Sequence, residues 1–300
     1  MTARAARPEL RPFRTVLVPT DFAEGSRAAI ARALALPLAK GARIELLHVL
    51  PESIPAKVRA KVEARAREGL ADAVTHARSA IGGDLEVTSE LVRGEAYVEI
   101  IRHARSIGAE LIVIGRHGRR PVRDLFIGAT AARVVRMGDV PVLVVKGAVA
   151  KPYRRPLVAT DLGDTSRHTL ELGLRIVGSR ATVRVVHAVH VPFESFMAPT
   201  RTGLGEVRRP FREKALAQLE ELVAPYEDHA RLRNIVRAGE ARSVVLNEAV
   251  RGHADVIAIG THGRSGLSRA LIGSVAEDVI ANAPCDVIVA RPVRFSFAPP

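Results

Sequence analysis

The sequence predicts an α/β protein built from two tandem domains, each with a five-stranded parallel sheet flanked by helices. Three observations support this prediction: an internal repeat that spans nearly the whole chain, an alternation of strand and helix signals within each repeat, and near-continuous runs of Val, Ile and Leu. Such runs are typical of strands that are buried on both faces. The chain of 300 residues is long enough for two domains of ordinary size.

Segments of the first half recur in the same order in the second half. RTVLVPTDF at 14–22 returns as RRPLVATDL at 154–162, and LIVIGRHGR at 111–119 returns as VIAIGTHGR at 256–264. Preserved order over such a distance indicates a duplicated domain. The expected organisation is a disordered arm at 1–13, a first domain at 14–147, a linker at 148–153, a second domain at 154–293 and a tail at 294–300.

Each repeat alternates strand and helix patterns. The first repeat has strand signals at 15–19, 43–49, 85–92, 110–115 and 140–146, and the second near 156–160, 181–187, 231–237, 254–260 and 285–291. The clearest helix carries apolar side chains at a spacing of three to four from Val58 to Ile81. The first helix can be capped by Ser26 or Asp21 and is expected to kink or end at Pro37.

Both repeated signatures come at the carboxyl ends of predicted strands. Thr20 and Asp21 follow the first strand, and Gly115 ends the fourth. In a parallel sheet the ligand crevice forms at the carboxyl ends of the strands, where the strand order reverses. If the winding reverses between strands one and four, the two loops face the same crevice.

The loop after the fourth strand of the second repeat has the composition of an anion site. Gly260 and Gly263 permit a tight turn with close backbone approach to a ligand, and Arg264 adds positive charge. Gly273 and Ser274 open the next helix, where backbone N–H groups and the helix dipole favour an anion. The alternative is that these Gly and Ser residues only connect a strand to a helix. The near repetition of the loop in the first half of the chain favours an anion-binding site.

Two further pairs of residues fit a nucleoside. Asp21 and Asp161 can accept hydrogen bonds from ribose hydroxyls or an adenine amino group, or they can cap the following helix. Val49 and Ala188, at the end of the second strand of each repeat, can form the floor of an adenine site or belong to the core.

Composition and charge exclude several classes of protein. The net charge is +13, with 24 basic and 16 acidic side chains in residues 1–150 and 21 and 16 in residues 151–300, so the excess is spread over both halves. The single cysteine, Cys285, excludes an internal disulfide, and no apolar run has the length of a membrane span. We therefore expect a cytoplasmic protein without membrane association, for which specific nucleic-acid binding is not expected.

The pattern G-x2-G-x9-G-[ST], together with LVPTD and LVATD at the ends of the first strands and LLHV in the second strand, resembles the universal stress protein family. The resemblance covers both repeats and indicates a tandem member. It implies two Rossmann-like domains with the sheet order 3-2-1-4-5, dimeric pairing through the last strand, and ATP whose phosphates rest on the glycine loop. We therefore expect ATP as the cofactor, with or without Mg²⁺.

Carried over position by position, the resemblance gives a nucleotide site in each repeat. The second-repeat residues are Ala159, Thr160, Asp161, Ala188, Gly260, Thr261, His262, Gly263, Arg264, Gly273, Ser274 and Val275. The first-repeat residues are Pro19, Thr20, Asp21, Val49, Gly115, Gly118, Gly128 and Thr130. Ala129 stands where the motif has Ser or Thr, so the second repeat is expected to hold the stronger site.

The function expected from these residues is that of an ATP-binding stress-response regulator. No Walker A lysine, nucleophile elbow or paired carboxylates are evident, so at most slow ATP hydrolysis is expected. The alternatives are a ligand-free scaffold that works by pairing its two domains, and a polyanion binder using Arg119, Arg120 and Arg123. The expected partners are an adenine nucleotide, the other domain of the same chain through the edges of the fifth strands, a second copy in a homodimer, and an unidentified protein.

Overall fold

The computed structural model describes residues 8–81, 83–116, 127–147, 151–178, 181–190, 203–261 and 272–291. These residues divide into two compact units. The N-terminal unit holds residues 11–152 and 285–291, and the C-terminal unit holds residues 8–10 and 153–284. Strands and helices alternate along both repeats, so the predicted α/β class is confirmed.

The described residues form ten strands and eight α-helices. The strands are β1 (Phe13–Pro19), β2 (Leu38–Leu50), β3 (Glu86–Arg93), β4 (Leu111–Gly115), β5 (Val142–Val145), β6 (Pro156–Thr160), β7 (Thr182–Val189), β8 (Arg231–Ala238), β9 (Val256–Gly260) and β10 (Asp286–Ala290). The helices are α1 (Glu24–Leu34), α2 (Ala56–Ser79), α3 (Ala96–Ser106), α4 (Ala129–Met137), α5 (Ser166–Arg175), α6 (Gly203–Val223), α7 (Ala241–Arg251) and α8 (Ser274–Asn282).

The five strands of the first repeat have the order β3-β2-β1-β4-β5 in the sheet of the N-terminal unit, and these five are parallel to their neighbours in that order. The winding reverses between β1 and β4, which pair directly through Val16 and Leu111. All five residues of β4 are buried, as expected for a strand covered by helices on both faces. The loops after β1 and β4 therefore begin side by side at the carboxyl edge of the sheet.

The C-terminal unit repeats this plan with the order β8-β7-β6-β9, again parallel throughout. Here β6 and β9 are the central neighbours, with Leu157 opposite Ile257. The fifth strand of the second repeat, β10, belongs to the N-terminal unit, where it lies antiparallel to β5.

The pairing of β5 with β10 covers an apolar strand edge. Leu143 lies opposite Ile288, and both side chains are buried. The Asp286 carboxylate accepts hydrogen bonds from the backbone N–H groups of Lys146 at 2.8 Å and Gly147 at 3.2 Å. This pairing confirms the expectation that the fifth strands of the two repeats cover each other. Without it, the edge of each strand would leave a row of backbone N–H and C=O groups unpaired.

The start of the first helix differs from its prediction. The N-cap residue of α1 is Ala23, with no side-chain capping bond. The Ser26 hydroxyl donates to the Ala23 carbonyl oxygen at 3.0 Å, and Asp21 Oδ1 accepts from the Ala23 N–H at 3.1 Å. The prediction that Ser26 or Asp21 caps this helix is wrong, because both side chains stabilise the preceding turn. The helix ends at Leu34, before Pro37, as expected.

Candidate functional site

The C-terminal unit contains a cavity of about 410 Å³ at the carboxyl edge of its sheet. The cavity is bounded by the ends of β6, β7 and β9 and by the first turns of α5, α7 and α8. It therefore lies where the winding reverses between β6 and β9, and its volume is in the range of small-molecule sites.

Most of the residues predicted for the second-repeat site line this cavity. They are Ala159, Thr160, Asp161, Ala188, Gly260, Thr261, Gly273, Ser274 and Val275. The other three predicted residues, His262, Gly263 and Arg264, lie outside the described residues. The fold thus brings together three segments that are far apart in the sequence.

A tight turn after β6 positions the carboxylate of Asp161. Its Oδ1 accepts hydrogen bonds from the Gly163 N–H at 3.0 Å and from the Ser166 hydroxyl at 3.1 Å. Thr160 Oγ1 accepts from the Leu162 N–H at 3.0 Å. Leu162 has a φ of 60°, a left-handed conformation that costs a non-glycine residue about 1 kcal/mol or more. Strain held by several hydrogen bonds in this way is typical of functional loops.

His187 in β7 holds the end of β6 in place. The two strands pair with Thr160 opposite His187, and His187 Nδ1 lies 2.9 Å from the Thr160 carbonyl oxygen. Because a carbonyl oxygen only accepts, Nδ1 carries the proton and donates it. His187 is buried and lines the cavity, so its ring connects strand pairing to the wall of the site.

Three helices, α5, α7 and α8, begin at this cavity. The Gly273 N–H donates to the Thr261 carbonyl oxygen at 2.7 Å, which closes the loop before α8 at Ser274. Neither α8 nor α5 has a side-chain capping bond, and Thr165 at the N-cap of α5 also lines the cavity. The partial positive charges of two uncapped helix ends therefore face one space.

Apart from His187 and Asp161, the side chains that line the cavity are apolar or carry a hydroxyl group. Asp161 supplies the one carboxylate among the described lining residues, and none of those residues is Lys or Arg. Ala188 and Val186 of β7 line the cavity, as do Ala241 and Val245 of α7. The arrangement offers an apolar wall for a flat ring and helix ends for an anion.

The first repeat builds the same turn after β1. Phe22 has a φ of 65°, Thr20 Oγ1 accepts from the Phe22 N–H at 3.1 Å, and Asp21 Oδ1 accepts from the Ala23 N–H at 3.1 Å. His48 Nδ1 lies 2.7 Å from the Thr20 carbonyl oxygen. The turn and its histidine are therefore common to both repeats.

The other described residues predicted for the first-repeat site lie at the ends of β1, β2 and β4 and at the start of α4. They are Pro19, Val49, Gly115, Gly128 and Thr130. The Gly128 N–H donates to the Arg116 carbonyl oxygen at 2.7 Å, as Gly273 does to Thr261. Gly118 lies outside the described residues.

The first repeat differs where α1 approaches β4. A Cβ on Gly115 would lie 2.5 Å from both the carbonyl carbon and the carbonyl oxygen of Gly25, so the strand end and the helix start are in close backbone contact. The corresponding place in the second repeat has Thr165 instead of Gly25, and Thr165 lines the cavity together with Gly260. Arg116 stands where the second repeat has Thr261.

Sequence reasoning missed ten of the lining residues. They are Thr165, Ser166, Thr169, Val186, His187, Ala241, Val245, Ile259, Ile272 and Ala276. The apolar ones follow strand and helix periodicity and carry no signal of their own. The hydroxyls of α5 carried a usable signal, since Thr165 and Thr169 replace Gly25 and Ala29 of the first repeat.

One basic group lies at the end of β5 in the N-terminal unit. Burial, followed by the nearby charge of Arg116, lowers the pKa of Lys146 to about 8. Cys285 and Asp286 act in the opposite direction. Cys285 is half-buried.

Among the described residues, no group of His, Cys, Asp and Glu side chains is placed to hold a metal ion, and no helix is long and apolar enough to cross a membrane.

Known proteins resemble this chain over both repeats. The model of the universal stress protein family matches residues 12–146 and 152–291. A universal stress protein of Mycobacterium tuberculosis is 28% identical over 247 residues, which cover 76% of this chain and 78% of the relative. One of Mycolicibacterium smegmatis is 26% identical over 291 residues, 92% of this chain and 97% of the relative.

A solved structure shows the same fold. The crystal structure of a universal stress protein from Archaeoglobus fulgidus superposes with a TM-score of 0.67 and covers 94% of this chain and 97% of its own. Its sequence identity is 20%, so the likeness concerns the fold alone.

Proposed function

The chain belongs to the universal stress protein family, and from this premise we propose that it is an ATP-binding regulatory protein of the stress response, with its stronger site in the second repeat. The observation that carries the proposal is the cavity of about 410 Å³, which collects Asp161, Ala188, Gly273 and Ser274 from three separate segments.

The phosphate end of the ligand is assigned to the start of α8. The Gly273–Ser274 step lines the cavity at an uncapped helix N-terminus, and the Gly273 N–H is already used by Thr261. The remaining N–H groups of the first turn, the Ser274 hydroxyl and the helix dipole favour a phosphate. His262, Gly263 and Arg264 are proposed to complete this end of the site.

The adenosine end is assigned to β7 and the turn after β6. Ala188 leaves room above the strand end for a planar ring, which would pack against Val186 and Val245. The Asp161 carboxylate has its Oδ1 engaged by Gly163 and Ser166, which fixes its orientation toward a ligand hydroxyl or amino group. Binding rather than catalysis is proposed, because this carboxylate is held as an acceptor and no second carboxylate lines the described wall.

The first repeat is proposed to bind ATP weakly. It starts α4 with Ala129 in place of Ser274, and Gly25 packs against Gly115 where the second repeat has cavity. One lost hydrogen bond to a charged phosphate costs about 1.5 kcal/mol or more, which is about a tenfold loss of affinity.

The test uses an equivalent position in each repeat. Ala188→Leu fills the proposed adenine position, and Val49→Leu places the same side chain at the matching position of β2. We expect the first variant to weaken ATP binding at least tenfold in equilibrium dialysis with Mg²⁺, and the second to leave it within twofold. Equal affinities for both variants and the wild-type chain would refute the assignment of the site.

A second candidate function is a ligand-free scaffold. The antiparallel pairing of β5 with β10 favours it, since this contact needs no nucleotide. Absence of ATP, ADP and AMP binding up to millimolar concentration would select this candidate over the first.

A further inference from the structure

We propose that Cys285 and Lys146 form an acyl-transfer pair in the N-terminal unit, in which the thiol takes an acyl group from an acyl thioester and passes it to the lysine amine. The product is a chain acylated on Nζ of Lys146, so the pair is a site of covalent modification. The inference goes beyond the proposed function, because it needs no nucleotide and neither residue is among those that line the described cavity.

The pairing of β5 with β10 places the two side chains opposite each other. Val144 lies opposite Val287, and the same antiparallel register continued by two residues brings Lys146 opposite Cys285. The Lys146 N–H donates to Asp286 Oδ1 at 2.8 Å, which holds the chain after β5 against the start of β10. Directly opposed residues point to the same face of the sheet with Cβ atoms about 4.5–5.5 Å apart. The four methylene groups of a lysine span this distance.

The amine of this pair is a nucleophile near neutral pH. Burial, followed by the charge of Arg116, lowers the pKa of Lys146 to about 8, against the opposite effects of Cys285 and Asp286. About half of the amine is therefore neutral at pH 8, where an ordinary lysine is almost entirely charged. Lys146 thus reacts with carbonyl groups under conditions in which an exposed lysine reacts slowly.

The carboxylate beside the pair is engaged by other groups. Asp286 Oδ2 lies 3.0 Å from Arg32 Nε, and Oδ1 accepts hydrogen bonds from the backbone N–H groups of Lys146 and Gly147. The charge of Asp286 is therefore shared, and it stabilises the Lys146 ammonium less than a carboxylate without these contacts would.

Cys285 supplies the sulfur nucleophile of the pair. It is half-buried, so part of the residue is accessible to a small reagent. The thiolate is the reactive form of a cysteine, and a neighbouring ammonium group stabilises it. Protonated Lys146 therefore assists the reaction of the thiol, and neutral Lys146 receives the acyl group.

The transfer takes two steps and involves no oxidation. In the first, the Cys285 thiolate attacks the carbonyl carbon of the acyl thioester, a new C–S bond forms, and the thiolate of the donor leaves. In the second, the neutral Lys146 amine attacks the carbonyl carbon of the Cys285 thioester. An amide C–N bond forms, the C–S bond breaks, Cys285 leaves as a thiolate, and the proton lost by the nitrogen goes to solvent.

The equivalent positions at the other end of the pairing carry neither nucleophile. Arg291 of the second repeat stands where the first repeat has Lys146, and it is 3% exposed. Its guanidinium donates to the Val135 carbonyl oxygen and remains protonated near neutral pH. Val140 of the first repeat stands where the second repeat has Cys285. The acyl-transfer pair is therefore a property of one end of the β5–β10 pairing.

The test measures the rate of acetylation at individual lysines of the full chain by mass spectrometry of its peptides. The reagent is the acetyl thioester of N-acetylcysteamine at pH 8, and the exposed Lys57 is the internal control. We expect Lys146 of the wild-type chain to be acetylated at least tenfold faster than Lys57. Cys285→Ser is expected to slow acetylation of Lys146 at least tenfold and to leave Lys57 within twofold.

A second variant, Lys146→Arg, isolates the first step. Arginine keeps the positive charge beside the thiol but does not take the acyl group. We therefore expect an acetyl thioester to accumulate on Cys285 and to be removed by hydroxylamine. This signal is a gain, so a Cys285→Ser chain that fails to fold cannot imitate it.

Three results would overturn the acyl-transfer pair. They are acetylation of wild-type Lys146 no faster than that of Lys57, a rate at Lys146 that Cys285→Ser leaves within twofold, and absence of the thioester from Lys146→Arg. ATP does not enter this experiment, so each of these results leaves the proposed function standing.

Discussion

His187 Nδ1 lies 2.9 Å from the carbonyl oxygen of Thr160, and His48 repeats the contact with Thr20 at 2.7 Å. Each histidine fixes the carbonyl group of the threonine that opens the Thr-Asp turn. In the C-terminal unit His187 also lines the cavity, so one ring supports the turn and shapes the site. This relationship allows structural and binding roles to be separated by comparing the two repeats.

The first prediction uses this comparison. His187→Leu and His48→Leu each leave a buried carbonyl oxygen without its donor, so each is expected to lower the free energy of unfolding by about 1–3 kcal/mol. Urea denaturation measures this loss. Only His187→Leu is expected to weaken ATP binding, and an equal loss of affinity in both variants would contradict the assignment of the site to the second repeat.

The second prediction concerns the anchor of β10. Arg32 Nε lies 3.0 Å from Asp286 Oδ2, and the two side chains are 8% and 3% exposed. Asp286→Asn leaves the Arg32 charge buried without its counter-ion and should lower the free energy of unfolding by about 3 kcal/mol. The control is Glu95→Gln, which breaks an exposed ion pair with Arg133 and should cost less than about 1 kcal/mol. Equal effects in urea denaturation would rule out the buried pair as an anchor.

The third prediction concerns pH. The pKa of Lys146 is lowered by burial to about 8 from 10.5, so between these values the unfolded chain binds more protons than the folded chain. The contribution of Lys146 to stability therefore rises with pH across this window. We expect the free energy of unfolding of the wild-type chain to rise relative to Lys146→Met between pH 7.5 and 10. A difference that stays constant over this range would show that burial does not shift this lysine.

The fourth prediction concerns the close contact of α1 with β4. Gly115→Ala places a Cβ 2.5 Å from backbone atoms of Gly25 and should cost about 1–3 kcal/mol of stability. Gly205→Ala in α6 is the control, since nothing lies within 4 Å of its added Cβ and the helix should gain about 0.5–1 kcal/mol. Thermal unfolding of both variants measures the contrast, and a neutral Gly115→Ala would mean that the two backbones are not in contact.

Much of the architecture could be predicted because the chain carries it twice. The resemblance to the universal stress protein family implies the sheet order, and the repeated strand ends LVPTD and LVATD predict that Asp21 and Asp161 lie at the carboxyl edge. The predicted helix from Val58 to Ile81 is α2, from Ala56 to Ser79, because its apolar spacing matches a helical turn. Strand β2 is longer than predicted, since Leu38 also pairs with Phe13, before a register shift that brings Arg43 opposite Thr15.

The parts that sequence reasoning missed depend on tertiary contacts. Residues that the two repeats share were predicted for the site. Thr165 and Thr169 line the cavity but differ between the repeats, since the first repeat has Gly25 and Ala29 at these positions. The hydrogen bond from His187 to Thr160 joins two strands whose register no local pattern encodes.

The stoichiometry of ATP binding tests the central claim most directly. Equilibrium dialysis of the nucleotide-stripped chain with Mg²⁺ is expected to give one ATP per chain, because the second repeat has an open cavity and the first starts α4 with Ala129 and packs Gly25 against Gly115. Two ATP per chain at similar affinity would contradict the proposed difference between the repeats, and none would contradict the nucleotide site itself.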